Sequence, residues 1–251
     1  MEKIFAYLRR IGYAGTPRLD FATLHDLQRL HLQTIPYENL DIMRNIPLSL
    51  NVDDIYDKIV RRNRGGYCFE LNALFAWLLK SLGFGVTTYM ARFLRDEAEI
   101  PMRRHRVQKV TCNQGSYLCD VGVGGIVPRM PLPIVTDKVS EQYGEKYVLK
   151  HDDFLGYVLY EWRRDAWRQL YSFTEEPQLE QDFTAVSFYC EKYPESFFRT
   201  LDMVHIFTEN GRKSVAGREV RLFSPDGVKV LQPVTEAAYN ELLEMHFGIR
   251  I

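Results

Sequence analysis

No stretch of this 251-residue chain approaches the roughly 18 uninterrupted apolar residues that a membrane span needs. The N-terminal run Met1 to Arg10 carries charge on both sides of a very short apolar stretch, so it does not read as a signal peptide. An excess of one charge sign is missing too. The formal net charge is −1, which leaves no global attraction to nucleic acid or to an anionic membrane. The richest basic run, Arg61-Arg62-Asn63-Arg64, is short and reads as a solvated helix end. Cysteine is scarce, with four residues at 68, 112, 119 and 190 and no CxxC spacing. A chain of this size builds its core without staples, so reduced thiols and a cytoplasmic location are expected, although an even count does not exclude disulfides. Cys112 and Cys119 have no His or Cys partner at ligand spacing, so no metal is expected. Internal repeats and low-complexity linkers are also absent, as the chain of a folded globular protein requires.

The apolar spacing changes character partway along. Up to about residue 82 it is helical. Ile4, Phe5, Leu8 and Ile11 form a stripe closed by Gly12, and Phe21, Leu24, Leu27, Leu30 and Leu32 belong to a second segment. Ile55, Ile59 and Val60 predict a third, with Asp53 and Asp54 in its first turn, where carboxylates suit the helix dipole. The run from Phe69 to Leu82 predicts a buried helix ended by Gly83. Beyond it the pattern is β: Val86 to Phe93, Val107 to Cys112, Tyr117 to Val121, Tyr147 to Leu149 and Tyr157 to Tyr160. The aromatics between Phe154 and Phe173 alternate as strand faces do. A last section mixes strands (Val204 to Phe207, Glu219 to Phe223, Val228 to Leu231) with a helix near Glu236 to His246. Helices, then strands, then a mixture indicate an α+β fold.

Chemistry concentrates at Arg64-Gly65-Gly66-Tyr67-Cys68-Phe69-Glu70. The glycine pair lets the backbone pass close to other groups, and Cys68 falls at the start of the apolar helix. Free N–H groups and the positive dipole end there favour a thiolate and suit an oxyanion. A thiol nucleophile needs a histidine, and the histidine needs an orienting carboxylate. Of six histidines, His105 opens a strand whose hairpin partner carries Asp120. Turning around Gln114-Gly115, the hairpin would set Asp120 roughly opposite residues 109 or 110. An ordinary ion pair would fit the same placement. Gly122-Val123-Gly124-Gly125 follows a strand but precedes Pro128, Pro131 and Pro133, which forbid the helix a dinucleotide loop must open. It reads as a glycine loop at the mouth of a site.

These residues resemble the arylamine N-acetyltransferase family. The matching blocks are Ile35-Pro36-Tyr37-Glu38-Asn39-Leu40; Arg64 to Glu70 followed by Asn72 and Phe75; His105-Arg106-Val107; Tyr117 to Gly124 with Pro131-Leu132; Tyr193 to Phe198; and Phe247-Gly248-Ile249. They run in the family's order over essentially the whole chain. The resemblance implies a Cys68-His105-Asp120 triad in a cysteine-protease-like core. It also implies a helical bundle (1–82), a central β-barrel (83–185) and a C-terminal α/β lid (186–251). Glu38 and Arg64 are implied to form a buried structural ion pair, and Tyr37, Val123, Gly124 and Phe198 an acceptor pocket. Val123 stands where many members carry an aromatic residue. Arg103 and Arg104 replace a Thr-Gly pair of certain members; they would meet the phosphates of CoA or belong to a solvated loop.

The implied reaction is ping-pong acetyl transfer from acetyl-CoA, as cosubstrate, to small aromatic amines or hydrazines. No metal and no obligatory protein partner are implied. A papain-like or transglutaminase-like hydrolase uses the same Cys, His, Asp order and is the rival reading, followed by a non-catalytic module with a broken triad.

Overall fold

The computed structural model describes residues 1–95 and 97–251. Helices α1 (Glu2–Arg10) and α2 (Phe21–Thr34) come first. Asp20 caps α2 by accepting the Thr23 N–H at 2.9 Å, satisfying one of the orphan donors of its first turn. The buried face of α1 carries Tyr7 and Leu8 and is continued by Ile11 just after the helix, whereas Phe5 is 55% exposed. Tyr7 takes the place expected of Phe5, and its buried hydroxyl is satisfied by His31 Nδ1 at 2.7 Å.

Strand β1 (Tyr37–Glu38), α3 (Leu40–Met43) and α4 (Val52–Tyr56) follow. The predicted third helix does not stay α-helical. It widens into a π-helical turn over Asp57–Arg61, which buries Lys58 together with Ile59 and Val60. Helix α5 (Cys68–Leu82) is the central rod. It is closed at its C-terminus by Gly83 at φ 99°, a left-handed conformation that glycine adopts without penalty.

Eight antiparallel strands then curl into a near-closed barrel in the order β5-β4-β3-β2-β9-β8-β7-β6. They are β2 (Gly85–Phe93), β3 (His105–Cys112), β4 (Gly115–Cys119), β5 (Leu132–Pro133), β6 (Ser140–Gln142), β7 (Glu145–Asp152), β8 (Gly156–Arg163) and β9 (Ala166–Phe173). The β3–β4 turn is tighter than its sequence suggests. Cys112 pairs with Gly115 and Gln108 with Cys119, so Asp120 follows next to Val107 rather than opposite 109 or 110. His105 and Val107 share a strand face, and the shorter turn therefore brings Asp120 closer to His105 than expected.

Helix α6 (Asp182–Lys192) was not expected, although Phe183, Val186 and Cys190 carry a helical spacing and are buried. Strands β10 (Met203–Thr208), β11 (Gly211–Ala216), β12 (Glu219–Ser224) and β13 (Gly227–Leu231) precede α7 (Glu236–Phe247). They form a sheet whose edge is β1, with Tyr37 paired to His205. The first third of the chain thus supplies a strand to the last. Among the described residues no helix is long and apolar enough to cross a membrane.

Two buried histidines make this fold acid-sensitive. Burial, with Arg10 nearby, pushes His31 down to about 3. Burial, with Arg212, Arg129 and Arg95 nearby, does the same to His205. Both are neutral in the folded chain, whereas the unfolded chain takes up these protons near 6.5. Their contribution is therefore complete above about 6.5 and is lost as the pH falls toward 3. Each should steepen the loss by up to about 1.4 kcal/mol per pH unit. Urea unfolding between pH 7 and pH 5 checks this, and His31→Gln or His205→Asn should flatten the slope. An unchanged slope in both variants would refute the assignment.

Candidate active site

The approach to Cys68 is set by close backbone contact. Glu38 N–H donates to the Gly66 carbonyl at 2.8 Å, laying the glycine pair alongside β1. A Cβ on Gly65 would stand 2.1 Å from the Pro36 carbonyl oxygen, so only glycine fits there. Glu70 reaches back to accept the Tyr67 N–H at 3.1 Å, fixing the first turn of α5. Cys68 opens that turn and is 2% exposed.

Its sulfur lies 3.9 Å from the Arg104 carbonyl oxygen, next to His105 in the chain. Burial pushes the Cys68 thiol up, and Cys190 and Asp120 add to the effect. The N–H groups of Phe69 and Cys68 act the other way but do not prevail. The helix entrance favours the thiolate as its N–H groups imply, but desolvation outweighs it, which fits the need for a neighbouring histidine.

His105 supplies a ring in the right place. Its Nε2 stands 2.7 Å from Asp120 Oδ2, with both residues buried. The ring lies 5.5 Å from that of Tyr171 and meets Phe93 edge-on at 6.1 Å. Asp120 Oδ1 accepts from Asn72 Nδ2 at 2.9 Å and from the Gly122 N–H at 2.8 Å. At Gly122 a Cβ would fall 2.7 Å from the Cys68 Cα, which explains a glycine at the start of the loop.

Cys68 and His105 face one cavity of about 400 Å³. Of the residues named from sequence, Tyr37, Arg104, Val123, Gly124 and Phe198 also line it. Phe93, Arg95, Glu97, Gly122, Gly125, Phe197 and Met203 complete the wall. Phe93 and Arg95 carried a usable signal, since β2 pairs Ala91 with His105 and so must end at the same rim. Arg103 stands outside the wall, pairing with Glu176 at 3.2 Å. Arg104 is ion-paired to Glu97, and Arg95 to Glu161 at 2.7 Å.

Behind the cysteine, Arg64 grips Glu38 through two bonds of 2.8 Å. The pair is not isolated. Arg64 also meets Asp41 at 2.7 Å, and Lys58 joins Asp41 at 2.8 Å to Glu70 at 2.9 Å. Three carboxylates thus enclose two cations beneath the first turn of α5. The basic run divides accordingly: the Arg61 and Arg62 side chains are 65% and 62% exposed, but that of Arg64 only 12%. Asp41 and Lys58 were missed because nothing local marks a residue as buried among distant charges. Among the described residues the four cysteines are free, and no group of three or more His, Cys, Asp or Glu side chains is arranged to hold a metal.

A family model described as N-acetyltransferase matches residues 20–251, and the arylamine N-acetyltransferase of Mycobacterium tuberculosis H37Rv is 35% identical over 98% of this chain and 89% of its own. The chain belongs to the arylamine N-acetyltransferase family. It is an acyltransferase by that membership. The solved structure of the M. tuberculosis family member superposes with a TM-score of 0.91 at 35% identity, covering 98% of this chain and 92% of that one. The Mycobacterium marinum member, solved in complex with CoA, gives 0.91 at 33% identity with the same coverage. Over nearly the whole of this chain the two solved structures therefore share its fold.

Proposed function

We propose that this chain moves an acetyl group from acetyl-CoA to arylamines and arylhydrazines by a ping-pong mechanism through acetyl-Cys68. The observation that carries the reading is that His105, held by buried Asp120 at 2.7 Å, faces the same cavity as a cysteine at a helix entrance. With Nε2 held by Asp120, Nδ1 is the ring nitrogen that takes the Cys68 proton. Burial disfavours a lone thiolate, so thiolate and imidazolium form together, with Asp120 stabilising the cation.

In the first half-reaction the Cys68 sulfur attacks the thioester carbonyl. The C–S bond to CoA breaks, and His105 returns its proton to the departing CoA thiolate. Exchange between two thioesters is nearly isoenergetic, so the protein mainly supplies the nucleophile, orientation and N–H groups for the oxyanion. In the second half-reaction the amine nitrogen attacks acetyl-Cys68, the C–S bond to Cys68 breaks, and the proton that His105 takes from the nitrogen passes to the departing sulfur, regenerating the thiol.

The flat apolar walls of Tyr37, Phe93 and Phe198 suit an aromatic ring, and Val123 leaves more room than an aromatic residue would. Arg104, at the rim, is placed to exchange its Glu97 partner for a CoA phosphate. The M. marinum relative, whose structure was solved with CoA, supports this cosubstrate. Four free thiols fit a reducing cytoplasm.

Incubation with acetyl-CoA alone should place one acetyl group on Cys68, seen by intact mass and peptide mapping, with release of free CoA. Peptide or amide cleavage without acetylation would instead establish the hydrolase.

A further inference from the structure

We propose that Asn72 is a positioning residue for the triad: its carboxamide fixes the Asp120 carboxylate so that Oδ2 faces His105. The inference rests on the acetyl-Cys68 reading above. Asn72 lies one helical turn after Cys68 on α5, is fully buried, and does not line the cavity. It therefore acts through Asp120 and not on substrate.

All three of its directed contacts serve the site. Nδ2 donates to the Arg106 carbonyl at 2.6 Å and to Asp120 Oδ1 at 2.9 Å, while Oδ1 accepts the Val121 N–H at 3.0 Å. Two acceptors on one side and a donor on the other admit only one orientation of the amide. The side chain thereby ties the nucleophile helix to both partner segments, through the residue after His105 and through Asp120 with its neighbour Val121. Packing leaves no slack, since a Cβ on Gly122 would fall 2.6 Å from Asn72 Nδ2.

Asp120 Oδ1 is then occupied by two N–H donors, from Asn72 and Gly122, and Oδ2 is left to His105. A buried carboxylate keeps its charge only if such donors replace water. The other titratable groups around the pair are Cys68 on α5, Cys119 on β4, Tyr171 on β9 and Cys190 on α6, with Arg104 at the rim. Tyr171 is the one among them whose hydroxyl interacts with Asp120, and Asn72→Ala leaves that interaction in place.

Removing that donor makes ionised Asp120 costlier and its rotation freer. The neutral form of Asp120 is favoured, and a neutral carboxyl does not support the imidazolium, so the thiolate–imidazolium pair forms only at higher pH. In Asn72→Ala the acid limb of the Cys68 acetylation rate should move up by about one to two pH units, the range expected for a lost hydrogen bond to a charged group. KM for acetyl-CoA should stay within about twofold, because the lost interaction lies outside the binding wall.

The isosteric Asn72→Asp should do something different. While protonated, its carboxyl still donates to Asp120. As pH rises it ionises against a second carboxylate, so its rate should fall where the wild-type rate is flat. This variant keeps the shape of the site and carries the test if Asn72→Ala does not fold. A merely structural amide would lower the melting temperature and leave both profiles superimposable on wild type after scaling, which would overturn the inference. Failure of the wild-type protein to form acetyl-Cys68 would instead sink the underlying acetyl-transfer reading.

Discussion

Cys68→Ser is expected to cut arylamine acetylation by at least about 10⁴-fold while leaving the melting temperature within a few degrees. The loss follows from the site's electrostatics. Burial already holds the Cys68 thiol above its ordinary value, and the N–H groups of Phe69 and Cys68 offset only part of that. Hydroxyl is a far weaker acid than thiol, so the His105–Asp120 pair, matched to sulfur, cannot generate a useful alkoxide in the same surroundings. An oxygen ester would also replace the nearly isoenergetic thioester exchange. The fold tolerates the change because serine differs from cysteine by one atom and is slightly smaller, so nothing packed around the start of α5 has to move. Steady-state acetylation and a thermal melt check both halves. Retained turnover would remove Cys68 from the nucleophile role.

Arg64→Met should lower the unfolding free energy by about 3–5 kcal/mol, the usual cost of breaking a buried ion pair from one side. The Glu38 side chain is fully buried, and after the change its carboxylate would keep only the Gly65 N–H at 3.0 Å. Asp41 would retain Lys58, but three carboxylates would then face a single ammonium. Burial already raises Glu70 above the ordinary carboxylate range, so this cluster has no spare capacity for another unpaired charge. Adding Glu38→Met should recover much of the loss, since a matched apolar pair is often as stable as the ions it replaces. Urea unfolding of wild type, single and double variants measures this. A single-variant cost below about 1 kcal/mol would class the pair with weak surface bridges. Because the cluster underlies the first turn of α5, the single variant should also slow Cys68 acetylation.

The course of the main elements was legible because hydrophobic period is a local property. The buried run from Phe69 to Leu82 became α5, and the alternation around Val107 and Tyr117 became β3 and β4. Helix α6 was equally legible in Phe183, Val186 and Cys190 and was overlooked. Strand β1 was not. Two residues carry no period, and they form a strand only because β10 lies beside them.

The glycine-cysteine entrance is legible in the sequence, with Cys68 at the start of a helix, although the contact with Pro36 that demands glycine at 65 is tertiary. Equally legible are the candidacy of His105 and Asp120 and the family's ordered motifs. What only the tertiary structure decided is how those groups are tuned. The two-residue turn at Asn113-Gln114 set the β3–β4 register, and the amide of Asn72 oriented Asp120. Burial reversed the expected direction of the Cys68 shift, and Asp41 and Lys58 joined an ion pair expected to stand alone. The physical reason is common to the last three. Desolvation and Coulombic interaction sum over everything close in space, and a linear sequence records only what is close along the chain.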